Sequence, residues 1–103
     1  MDKVKPMTPE LKSKFCKYLC EKIALKYDFE NSYRKTGAIN TFVYFATNEY
    51  KPEDILALIN KNISTELINF IETEIGENAQ SYDRSVALFE SDSTEENVLT
   101  ITW

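Results

Sequence analysis

The sequence predicts an α+β domain: a small, mostly antiparallel sheet of three or four strands with three helices packed on it, in the order α-(β)-β-α-α-β-β. Three observations lead there. Capped, helix-periodic stretches open the chain and fill its middle. Runs rich in β-branched and aromatic residues lie at 39–47 and near the C-terminus. A length of 103 residues leaves room for one core only. Residues 1–103 are therefore read as a single domain, with 1–7 as a flexible N-terminal tail.

The first helix is announced by Thr8 as N-cap, Pro9 in the first helical position and Glu10 at the positive end of the dipole. It runs to about Tyr27. At about 100° per residue, Leu11, Phe15, Cys16, Leu19, Cys20, Ile23 and Tyr27 share one half of the wheel, and Lys14, Lys17 and Glu21 lie opposite. Lys22 and Lys26 fall inside the apolar half, so their stems must snorkel or that flank is only partly covered. Phe29 and Tyr33 suit a short edge strand, with Thr36-Gly37 as its turn. Ile39 to Thr47 reads as a central strand, because apolar residues alternate onto both faces.

A second helix starts at Pro52, carries Ile55, Leu56, Leu58 and Ile59, and is expected to end near Asn62. Ser64 or Thr65 then caps a third, with Leu67, Ile68, Ile71 and Ile75 as its stripe and Gly76 as its terminator. After a polar stretch, Ser85–Phe89 and Asn97–Trp103 have strand composition, and 91–96 reads as the hairpin loop between them.

Composition excludes several function classes. With 43% hydrophobic residues and a net charge of -5, the chain is too apolar to be disordered. Two glycines rule out Gly-rich phosphate loops, and the absence of histidine removes the commonest metal ligand and general base. Cys16 and Cys20, four apart on one helix face, match neither a redox pair nor a zinc framework, and read as small buried hydrophobes. Ser32-x-x-Lys35 and Lys35-Thr36-Gly37 echo serine β-lactamase motifs. Here they share a residue and span six positions, whereas that chemistry draws them from distant parts of a larger chain. Glu72 and Glu74 diverge on a helix, and Asp92, Glu95 and Glu96 lack a calcium-loop pattern. The expectation is a non-enzymatic protein with no cofactor and no metal.

No apolar run resembles a secretory signal or reaches the roughly 18 residues of a membrane span, so a soluble, cytoplasmic protein with no membrane partner is expected. The sequon Asn62-Ile63-Ser64 has no meaning without secretion.

Charge layout carries the functional expectation. Residues 1–36 hold nine basic residues against five acids, and residues 37–103 hold three against twelve. Such a field steers a basic partner toward the acidic side. The expected binding residues are Glu66, Glu74, Glu77, Glu95 and Glu96, with Tyr82 as aromatic anchor. Tyr50 and Phe70 are further candidates; satellite core is the ordinary alternative for all three rings. The partner is a basic protein surface, such as the nucleic-acid site of an enzyme that binding would block; a homodimer is compatible with the same surface. This small, acidic character without catalytic signatures is that of stand-alone inhibitors, immunity proteins and phage-type counter-defence proteins. The competing expectation is nucleic-acid binding through Lys3, Lys5, Lys12, Lys14, Lys17, Lys22, Lys26, Arg34 and Lys35, with Tyr18 and Tyr33 for stacking. An isoelectric point near 4.7 and the scarcity of arginine in that patch weigh against it.

Overall fold

The computed structural model describes residues 3–27, 30–36, 39–45, 52–86, 88–91 and 98–101. The architecture is α+β, with helices and an antiparallel sheet around one core. Helix α1 spans Pro9–Tyr27. Its start is fixed as its capping residues require: the Leu11 N–H donates to Thr8 Oγ1 at 3.2 Å, and the Lys12 N–H donates to the Thr8 carbonyl at 2.9 Å. Strands β1 (Glu30–Thr36) and β2 (Ile39–Phe45) pair with Glu30 opposite Phe45 and Thr36 opposite Ile39. Strands β3 (Phe89–Ser91) and β4 (Val98–Ile101) pair with Phe89 opposite Ile101, and β4 also pairs with β2. The strand order is β1-β2-β4-β3, antiparallel throughout. Gly37, Phe29 and the loop residues 92–97 lie outside the described residues.

The largest departure from expectation is in the middle of the chain. Instead of two helices broken near Asn62, a single helix α2 runs Pro52–Asn69 and continues without a break into a π-helical turn, Phe70–Ile75. Ile63 is the reason. It is buried between Ile59 and Leu67, so Ile55, Ile59, Ile63 and Leu67 form one unbroken i, i+4 stripe with no proline or glycine to interrupt it. Ser64 and Thr65 are good caps, but a cap acts only where the preceding turn has already ended, and both are exposed within the helix. The wider π turn sets consecutive side chains closer in angle, and Phe70 and Ile71 are both buried there. Gly76 ends it in the left-handed region at φ 75°, donating its N–H to the Ile71 carbonyl at 3.1 Å.

Two further corrections follow from contacts distant in sequence. Residues Lys5 and Met7, assigned from sequence to a flexible tail, are anchored. The Lys5 N–H donates to the Ser81 carbonyl at 2.8 Å, the Asp83 N–H donates to the Lys5 carbonyl at 2.7 Å, and Met7 is buried. Ser85, Val86 and Leu88 are not strand; the Asp83 carboxylate accepts the Ser85 N–H at 2.9 Å in a local turn, and Leu88 is exposed.

The core joins Phe15, Cys16, Leu19 and Cys20 of α1 to the α2 stripe, Phe70, Ile71, Ala79, Phe89 and Ile101. Helix α1 packs on β1 and β2, and α2 packs on β3. Both thiols are buried and not joined in a disulfide. Burial pushes the Cys20 thiol up to about 12 from an ordinary 9.0, with the Glu21 charge adding to the rise. A raised value means that the protonated thiol stabilises the fold fully below pH 9, and that this contribution is lost as pH climbs toward 12. The melting temperature should therefore hold from neutral pH to about 9 and fall above it, less steeply in Cys20→Ala. At neutral pH both thiols should resist maleimide; rapid labelling of the folded protein would contradict their burial.

Candidate functional site

Among the expected binding residues, the structure brings some together and removes others. Glu66, in the last turn of α2, is half-buried and accepts the Tyr18 hydroxyl at 3.3 Å. Glu72 and Glu74, in the π turn, are exposed, and no described residue forms a salt bridge with either. Glu77, just past Gly76, accepts the Tyr82 hydroxyl at 2.6 Å and lies 3.8 Å from the Lys5 ammonium. Its carboxylate therefore helps hold the N-terminal segment to the 3-10 turn at Ala79–Ser81 as well as carrying surface charge.

Tyr82 corrects the sequence reading. It is 8% exposed, with its ring in the core cluster, its hydroxyl bound to Glu77 and the Lys5 ammonium 5.5 Å from its centroid. It is an internal clasp, not a free anchor. Phe70 is likewise buried. Glu95, Glu96 and Tyr50 lie outside the described residues.

The feature that sequence periodicity missed lies between α1 and the end of α2. An open cavity of about 370 Å³ is lined on the α1 side by Lys17, Tyr18, Glu21, Lys22 and Leu25, and on the other by Phe70 and Glu74. Phe70 stacks against Phe15 at 5.6 Å and Tyr18 at 5.4 Å, both tilted by about 50°, so the floor is aromatic and rigid. Burial raises the Tyr18 hydroxyl above its ordinary value, and the Glu66 charge, the hydrogen bond to it and the Glu74 charge raise it further. Both carboxylates thus act on one phenol. Leu25 is 85% exposed. The available signal was that Leu25 falls outside the apolar stripe of α1 while lying one turn from Lys22 and next to Lys26.

Elsewhere the chemistry is sparse. Among the described residues no group of three or more Asp, Glu or Cys side chains is arranged to hold a metal ion. No helix among them is long and apolar enough to cross a membrane. Asp83 is held below the usual carboxylate range by the Ser85 backbone N–H and side chain, which is ordinary turn chemistry. No family model, curated protein or solved structure matches the chain.

Proposed function

We propose that this protein is a non-enzymatic binding module or inhibitor that captures a basic protein through its acidic surface, in a reducing cytoplasmic setting. The nucleic-acid site of an enzyme is the kind of surface it fits, as in immunity or counter-defence proteins. The observation that carries the reading is the run of acids at the end of α2. Glu72, Glu74 and Glu77 are exposed within six residues, and only Glu77 has a cation among the described residues within ion-pair distance. A run of solvated carboxylates with so little local compensation sets up a negative field that steers a basic partner toward it.

The test is capture from an extract of the source organism, comparing the wild-type chain with two charge-reversed variants. Glu72→Lys/Glu74→Lys is the informative pair, because both side chains are solvated and Glu77 has a structural duty. Capture should weaken about tenfold with no change in the far-UV spectrum, and should weaken as salt rises, mainly through slower association. Reversing Lys3 and Lys14, both exposed and neither lining the cavity between α1 and the end of α2, should matter little. If those lysine reversals remove activity and the chain shifts DNA or RNA in a gel at physiological salt, nucleic-acid binding through α1 replaces this reading.

A further inference from the structure

Three kinds of chemistry meet at Tyr18. Its ring packs against Phe70 at 5.4 Å, its hydroxyl is held by Glu66 at 3.3 Å, and the Lys22 ammonium lies 5.3 Å from the ring centroid. The cavity beside it takes Glu74 and the exposed Leu25 into its lining. A cation over a tyrosine face is attracted by the ring quadrupole, and the Glu21 and Glu74 carboxylates in the same lining offset Lys17 and add to that attraction. The chain therefore displays a cation seat and fills it with its own lysine. Lys22 is exposed, so holding it there costs side-chain freedom for a screened gain, and it can swing away.

A guanidinium suits the same place better than an ammonium. It is planar, less strongly hydrated, stacks on a ring and donates two parallel N–H bonds to a carboxylate. Leu25 offers apolar surface for the methylene stem of such a side chain. We infer that the Tyr18–Phe70–Glu74 cavity seats an arginine side chain of a basic partner protein, with Lys22 as its internal placeholder. This inference rests on the proposed acidic-surface reading and names the anchor within it. Leu25 is solvent-exposed because the site is an open receptor, and the partner's arginine enters by displacing Lys22.

The probe is a capped triarginine peptide, titrated into the isotope-labelled full chain at low salt and followed by NMR, with a tricitrulline peptide as the uncharged isostere. Triarginine should shift the resonances of Tyr18, Leu25 and Phe70, and tricitrulline should not. Tyr18→Leu should weaken triarginine binding about tenfold, within the range of a desolvated cation–ring contact, whereas Tyr18→Phe keeps the ring and should bind within about twofold of wild type. Lys22→Ala should bind more tightly, because the seat is vacated. Glu74→Gln, on an exposed side chain, is the second variant should Tyr18→Leu fail to fold, and should also weaken binding.

Binding by Tyr18→Leu equal to wild type, or shifts that spare the cavity, would overturn the seat. The acidic-surface reading survives that result, since reversal of Glu72 alone, which does not line the cavity, judges it separately. If Glu72→Lys leaves capture unchanged while triarginine still shifts Tyr18, the acidic-surface reading fails and the seat stands as an arginine site.

Discussion

Replacing Phe15 by alanine is expected to remove about 3–5 kcal/mol of stability, the largest effect of any single change considered for this chain. Phe15 is fully buried, and its ring lies 6.4 Å from Tyr18 and 5.6 Å from Phe70. Truncation removes the transfer energy of the ring and leaves a cavity at the junction of α1 with the π turn, where neighbouring aromatic rings cannot collapse to fill it. A domain of this size has only about 5–15 kcal/mol in total, so the variant should sit close to its unfolding transition at 37 °C. Denaturant melts should show a lower midpoint at an unchanged slope. Phe15→Leu keeps most of the volume and should cost about 1 kcal/mol. A loss below 1 kcal/mol in Phe15→Ala would mean that α1 does not pack on Phe70 in solution.

Asn60→Ala is expected to cost about 1–3 kcal/mol, which is large for a polar residue on a helix. Its carboxamide reaches from α2 to the backbone of β3: Nδ2 donates to the Phe89 carbonyl at 3.2 Å, and the Phe89 N–H donates to Oδ1 at 3.0 Å. Strand β3 ends the sheet order, so the amide satisfies the side of the strand that faces away from β4. Both bonds are half-buried, and removing the side chain loses both together. The diagnostic readout is hydrogen exchange at the Phe89 amide, which should speed up in Asn60→Ala. Asn60→Asp should be worse than alanine, because a carboxylate would face the Phe89 carbonyl without a proton to donate. Unchanged exchange at Phe89 in Asn60→Ala would show that the contact does not form.

The two effects differ in how they could be read from the residues. Phe15 belongs to a helix whose cap, first-turn acid and apolar stripe are all local, and α1 begins and ends where those signals place it. Asn60 carries no signal of its role. On α2 it reads as one more polar residue beside the stripe, and its partner lies 29 residues away. The candidate site divides in the same way. Glu72 and Glu74 are exposed, as solvated acids beside the apolar stripe of a helix should be. Tyr82 reads as a ring in a connection and becomes a buried clasp only because Lys5 and Glu77 meet it there. Tyr18 reads as a stacking ring of the basic first helix, and the seat around it needs Glu66, Phe70 and Glu74 from a distant part of the chain.

By itself, then, the sequence determined the α+β class, the bounds of α1, the burial of both thiols and the steep division of charge, because each follows from composition or from a period within one segment. Tertiary structure alone decided that α2 passes into a π turn burying both Phe70 and Ile71, that the N-terminal segment docks beside Tyr82, that Asn60 closes β3 and that Lys22 rests on Tyr18. The physical reason is that a cap residue, an amide or a lysine has several near-equal local options of about 1 kcal/mol each. Contacts between segments far apart in the chain select among them.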